Sequence, residues 1–310
     1  MSVPPDKMIA DDTLYETEDP ADITLRQPTL AYDLRLRVLP VEDVVPHEHY
    51  HGPRVADLAI RLIEEGKLIN PPVVAQQGDK YVVLDGATRL TAFRQLGYPH
   101  IVVQVVDLEQ QRIVLTSWNH VLYGGDAAVL LAMLRAIAGL EVVPTEQRGP
   151  VAQDLLSLPP GALGYLLTSG QDAFVLQSGD KGSDEADEAW LRMLNVAVET
   201  YGDWGNVERT LSSDMDALAH QFPEMAGLVV FPRFTLSRIL ELAAAGRTVP
   251  AGITRFVIPG RILRLNAPLE AIVSDAPVAT KQAWLDAFVR EKLRARQVRY
   301  YEEPVVLLDE

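Results

Sequence analysis

From Tyr32 to Leu39 (YDLRLRVL) apolar and polar residues alternate, the period of two that a half-buried strand requires. The period then lengthens. In PRVADLAIRLIEEG, residues Val55, Leu58, Ala59 and Leu62 fall on one helical face, and Gly66 is placed to end the helix. Pro71–Gln76 and Tyr81–Leu84 are strand-like runs joined by Gln77-Gly-Asp-Lys80, a hairpin connection. An amphipathic helix is predicted over Thr88–Leu96, closed by Gly97, with buried strands at Ile101–Asp107 and Ile113–Tyr123. Residues 32–123 therefore predict a compact α+β unit.

Beyond residue 125 helical spacing dominates, at 127–138, 185–200, 235–245 and 279–297. Short apolar strands are expected near 174–177, 228–231 and 262–265, and VRYYEEPVVLL (298–308) reads as a closing strand. Residues 1–30 are acidic, contain proline and show no periodicity, the pattern of a flexible N-terminal segment. The expected division is that segment, a domain over 31–124, and a C-terminal domain over 125–310 that completes a substrate site.

Composition narrows the function. With 48% hydrophobic residues the chain can bury a core, and its formal net charge of −15 opposes broad binding to DNA or to an anionic membrane. The absence of cysteine excludes disulfides, thiol catalysis and thiolate metal sites. The first thirty residues carry no apolar signal region, and the longest apolar run, Ala127–Leu140, is interrupted by Arg135 and too short to span a bilayer. A soluble, cytoplasmic protein is expected; its oligomeric state is not legible.

Four stretches carry chemistry. His47–His51 (HEHYH) fits the H-E-x-x-H zinc-peptidase pattern, which needs a helix to bring its histidines to one metal. Pro46 and Gly52-Pro53 frame it, so a polar loop leading into a helix is the expectation, with Glu48 still able to act from it. At Asp85-Gly86-Ala87-Thr88-Arg89 a buried strand turns into a helix, whose N-terminus suits phosphate. There Gly86 permits close approach, Thr88 adds a hydroxyl, Arg89 offers a fork of donors, and Asp85 is placed for Mg²⁺ or a substrate hydroxyl. A tight turn with Asp85 as helix cap explains the same residues equally well. Thr254-Arg255, after the irregular Pro250–Gly252, could hold a carboxylate or phosphate, or could simply join a helix to a strand. Thr116-Ser-Trp-Asn-His120 places polar groups inside an apolar strand, where a ligand or a core hydrogen-bond network must satisfy them.

Taken together, VVLDGATRLTAFRQLG and its surroundings resemble the ParB/sulfiredoxin nucleotide-binding fold. VPHEHYHGPRV, TSWNHV, NVERT and GRTVPAGITRFVIPGRILRLNAPLEAI sharpen the resemblance to the free serine kinases of that superfamily, especially those of siderophore biosynthesis. The resemblance implies an α+β fold, a ParB/sulfiredoxin-like nucleotide-binding domain plus a helix-rich α/β C-terminal domain. It implies phosphoryl transfer from ATP (or ADP), with Mg²⁺, to the hydroxyl of L-serine, giving O-phospho-L-serine. The family's loop glutamate, the proposed base, falls on Glu48. Its DG-x-x-R turn falls on Asp85, Gly86 and Arg89, so that nucleotide phosphates would sit on Gly86, Ala87, Thr88 and Arg89. Its tryptophan-bearing strand falls on Trp118 and its threonine–arginine pair on Thr254 and Arg255, with His120 expected to help Trp118 close the substrate pocket. Family members carry histidine where this chain has Ala87 and Thr88, which removes an imidazole donor to the phosphates. A non-catalytic nucleotide or metabolite sensor, or a kinase for another hydroxyl such as threonine, is the alternative reading.

Overall fold

Residues 34–49, 52–146, 161–179 and 186–301 are described by the computed structural model. The alternating run forms β1 (Leu36–Pro40), and a short 3-10 turn at Val41–Asp43 leads into β2 (Val44–Pro46). The next elements are α1 (Gly52–Glu65), β3 (Lys67–Leu68), the hairpin β4 (Val73–Gln77) and β5 (Lys80–Asp85), α2 (Ala87–Gln95) and β6 (His100–Val106). Their principal sheet has the order β1-β6-β4-β5-β2. It is mixed: β4 runs antiparallel to β5 but parallel to β6, and β2 parallel to β5. Val74, Val83, Ile101 and Val103 are fully buried in its core, with Leu90 and Phe93 of α2 against them. Burial of each such side chain contributes roughly 1.5–3 kcal/mol.

The second sheet is wholly antiparallel. After β7 (Val114–Ser117) it takes β8 (Asn119–Tyr123), then, past α3 (Ala127–Arg135), β9 (Leu140–Thr145), β10 (Ala162–Thr168) and β11 (Ala173–Ser178). The long helix α4 (Ala186–Trp204), β12 (Asn206–Thr210), α5 (Met215–Gln221), β13 (Met225–Val230), α6 (Leu236–Ala244) and β14 (Thr254–Val257) follow. The strand order is β12-β8-β13-β10-β11-β9, while β14 pairs with β7 in a separate two-stranded ribbon. β10 and β13 are buried along their whole length, as expected of central strands covered on both faces.

The chain ends its described part with β15 (Ala267–Pro268), α7 (Leu269–Val273) and α8 (Val278–Arg294). β15 pairs with β3, and α8 packs on β1, where the Gln282 amide accepts from Val38 N–H at 2.8 Å. Two compact units result. One holds described residues 34–114, 240–247 and 257–301; the other holds 115–239 and 248–256. This differs from a simple split into 31–124 and 125–310, because the core of the first unit takes Leu265, Ile272, Leu285 and Val289 from the C-terminal segment. Among the described residues no helix is long and apolar enough to cross a membrane.

Three expectations change. The strand predicted over 113–123 is broken at Trp118, whose N–H leaves the ladder and donates to Ile253 O at 2.9 Å. The strand expected at 262–265 is irregular, because Arg264 and Asn266 adopt left-handed backbone (φ 55° and 52°). Of the closing strand expected over 298–308, the described residues 298–301 form no strand, and 302–308 lie outside the described residues, as do residues 1–30.

Candidate active site

Strand β5 delivers Asp85 to its C-terminal end, and the chain turns at once into α2. Gly86 is the helix N-cap, with φ 97° and ψ 29°. Such left-handed geometry favours glycine, and a Cβ there would lie 2.9 Å from the Arg89 guanidinium. The first amide to bond within the helix is that of Leu90, to Gly86 O at 3.1 Å. The amides of residues 87–89, ahead of it, therefore lie at the positive end of the helix dipole. Ala87 is buried, and Thr88 and Arg89 are half-buried.

Asp85 does not cap the helix. Its Oδ2 accepts from Arg89 Nη2 at 2.7 Å and from Arg261 Nη2 at 2.6 Å. Arg89 also donates through Nη1 to Asn70 O at 2.8 Å and Pro71 O at 3.3 Å. The fork expected to meet phosphate is thus committed to tying the turn to the loop before β4. Arg261 was not singled out by sequence pattern. Its loop is fixed by Gln104, a buried amide in β6 that donates to Gly260 O at 2.8 Å and accepts from Ile262 N–H at 2.9 Å. The signal that could have found it is that one glutamine in HIVVQVV, since a buried amide must have partners.

HEHYH starts where β2 ends. His47 and Glu48 precede α1, so the helix that zinc binding would need is absent at these two residues; Tyr50 and His51 lie outside the described residues. His47 is buried and its Nδ1–H donates to Val83 O. Burial pushes the imidazole below its ordinary pKa, opposed by the neighbouring Glu48, the Val83 carbonyl and Asp85. Nε2 is 4.0 Å from Glu48 Oε2. Pro46 lies opposite Val83 in the parallel register, so Glu48 and Asp85 each come two residues later, at the same end of neighbouring strands.

The other unit gathers the remaining candidates. Arg255 places its guanidinium carbon 5.2 Å from the centroid of the Trp118 ring, and its carbonyl accepts from Thr116 Oγ1 at 3.4 Å. Thr254 is buried beside it in β14. His120 is buried with both ring nitrogens engaged: Nε2–H donates to Gly252 O at 3.0 Å, and Nδ1 accepts from the Tyr201 hydroxyl at 2.7 Å. Of the two explanations for polar groups in this strand, the core network holds for His120. Its part is to fix Gly252, two residues before Thr254, rather than to present a free ring nitrogen. Burial pushes His120 down to about 4, against the favourable Gly252 bond and with help from the Arg209 charge. Gly252 has φ 83°, and a Cβ there would collide with the Arg209 guanidinium at 2.6 Å.

No family model matches the chain. In sequence it is similar to the ATP-dependent L-serine kinase SbnI of Staphylococcus aureus (strain NCTC 8325 / PS 47), with 26% identity over 277 residues, 89% of this chain and 97% of the relative. It is also similar to an ATP-dependent L-serine kinase of Staphylothermus marinus, 29% identical over 242 residues, 76% of this chain and 90% of the relative. Among solved structures, SbnI with a C-terminal truncation matches with a TM-score of 0.64 at 22% identity, covering 83% of this chain and 97% of the other. A free serine kinase in complex with AMP matches with a TM-score of 0.61 at 16% identity, covering 81% and 97%. The mixed α+β architecture described above is therefore the fold of the free serine kinases, and in sequence the chain resembles ATP-dependent L-serine kinases over nearly their whole length.

Proposed function

We propose that the protein is an ATP-dependent L-serine kinase that forms O-phospho-L-serine. The observation that carries this reading is the similarity to two ATP-dependent L-serine kinases across 97% and 90% of their lengths. The strand–turn–helix at Asp85–Arg89 supports it, since it combines a glycine N-cap, backbone amides at the positive end of a helix and nearby guanidinium groups, the elements that suit a phosphate chain. The names of both relatives favour ATP as the donor, with ADP as the alternative. The resemblance of its sequence segments to the free serine kinases of siderophore biosynthesis supports a place in such a pathway, with phosphoserine consumed by a later step.

Glu48 is the general base. Its carboxylate takes the proton of the serine hydroxyl while the serine oxygen forms a bond to the terminal phosphorus. The bond from that phosphorus to the bridging oxygen breaks, and the departing nucleotide keeps the electron pair. Base assistance of this kind contributes about 10²–10⁴-fold, and positioning and charge stabilisation supply most of the remainder. Asp85 is the residue that would hold Mg²⁺: Oδ2 is taken by two arginines, while Oδ1 has no hydrogen bond among the described residues. One carboxylate completed by phosphate oxygens and water fits the usual donor set of that ion, which would neutralise charge on the phosphates. For serine itself, Trp118, Thr254 and Arg255 offer a guanidinium beside an indole, chemistry suited to a carboxylate.

The test is incubation of the purified protein with Mg²⁺, ATP or ADP, and L-serine, L-threonine or homoserine, followed by mass spectrometry. O-phosphoserine from the serine reactions is expected. No phosphorylated amino acid from any pair would leave a nucleotide or metabolite sensor as the better reading.

A further inference from the structure

Two arginines share one oxygen of Asp85, and they are held very differently. Arg89 has 19% side-chain exposure and donates to three acceptors, Asp85, Asn70 and Pro71, so moving it would dismantle the turn. Arg261 has 38% side-chain exposure, and among the described residues its only partner is Asp85, through Nη2 alone. Its Nε and Nη1 remain for another acceptor. Two guanidiniums converge on one carboxylate oxygen beside the N-terminus of α2, where the helix dipole adds positive potential.

The backbone that carries Arg261 is rigidly placed although it belongs to no strand or helix. Gln104, 4% exposed, grips the residues on either side of it, Gly260 and Ile262, with the two ends of one amide. Three residues later the Asn70 side chain accepts from Arg264 N–H at 2.8 Å, while the Asn70 carbonyl accepts from Arg89. A buried polar side chain in the middle of an apolar strand costs stability unless it is satisfied, and this one is satisfied by the backbone on either side of Arg261.

On the reading of the protein as a nucleotide-dependent kinase, we propose that Arg261 is the cation that binds the nucleotide phosphates, that Gln104 is its positioning residue, and that Arg89 holds the turn. Arg261 exchanges or shares its Asp85 contact with a phosphate oxygen when nucleotide arrives. A planar fork of donors suits that role better than a point charge.

Calorimetric titration of the full chain with ADP and with adenosine tests this, using wild type, Arg261→Gln, Arg261→Lys and Gln104→Leu. Arg261→Gln should bind ADP about ten- to a hundredfold more weakly, as expected for one charged hydrogen-bond donor. Adenosine affinity should not change. Arg261→Lys should fall between, and Gln104→Leu should weaken ADP while sparing adenosine. ADP affinity unchanged in Arg261→Gln would overturn the proposal and leave the kinase reading intact. Equal losses for ADP and adenosine would assign Arg261 a structural role and also overturn it. Failure of the wild type to bind any nucleotide would remove the kinase reading and the proposal together.

Discussion

Gly86→Ala tests whether the Asp85–Arg89 turn, the proposed nucleotide site, is as tightly determined as its geometry implies. At φ 97° an alanine sits in the left-handed region, at a cost of about 1 kcal/mol relative to glycine. Its methyl would also stand 2.9 Å from Nε and Nη2 of Arg89, so the guanidinium must move. A flexible side chain would normally yield at little cost, but this one is held by Asn70 O at 2.8 Å and Asp85 Oδ2 at 2.7 Å. Losing one charged hydrogen bond costs about 1.5–3 kcal/mol, and partial exposure of the pair places the figure at the low end. The sum is about 2–3 kcal/mol. Urea unfolding followed by circular dichroism should show that loss, and ADP should bind at least roughly tenfold more weakly because the amides at the start of α2 are displaced. A variant within about 0.5 kcal/mol of wild type, with unchanged ADP affinity, would refute the reasoning.

Glu48→Gln should keep the wild-type fold and nucleotide affinity but lose about 10²–10⁴-fold in kcat; near-full turnover would remove Glu48 as the base. His120, held neutral with a pKa of about 4 against an unfolded value near 6.5, stabilises the fold fully above pH 6.5. That contribution, at most about 3 kcal/mol, is lost as pH falls from 6.5 towards 4. His120→Gln should therefore show a shallower fall of the urea midpoint over this window than wild type, and parallel slopes would contradict it. Arg255→Ala should raise the KM for L-serine while leaving ADP binding unchanged, and should alter Trp118 fluorescence by removing the overlying guanidinium; an unaltered KM would take Arg255 out of serine binding.

Much of the first unit could be read from pattern: β1 and α1 write the period of a half-buried strand and of an amphipathic helix into the chain, while β4, β5 and β6 are short apolar runs bounded by turn residues. The fully buried β10 gave no such alternation and was not anticipated. Nor was the break at Trp118, where a backbone N–H finds a partner more than a hundred residues away. At the turn from β5 into α2, Asp85, Gly86 and Arg89 were legible as a group, since a strand entering a helix through glycine is a local pattern. What each does was not legible. The division of labour between Arg89 and Arg261 depends on carbonyls at Asn70 and Pro71 and on a strap more than 170 residues downstream, contacts that no local spacing encodes. His120 shows the same limit: its polar position in a strand was noticeable, but Tyr201 and Gly252 decide that it is a structural hydrogen-bonding residue.

The most direct test of the account is phosphorus NMR of the purified protein with Mg²⁺, ATP and L-serine, run beside Glu48→Gln. The account predicts an O-phosphoserine resonance growing together with ADP in the wild type, and greatly slowed in the variant although ATP still binds. ATP bound by the wild type with no phosphoserine formed, whether ATP or ADP is supplied, would contradict it.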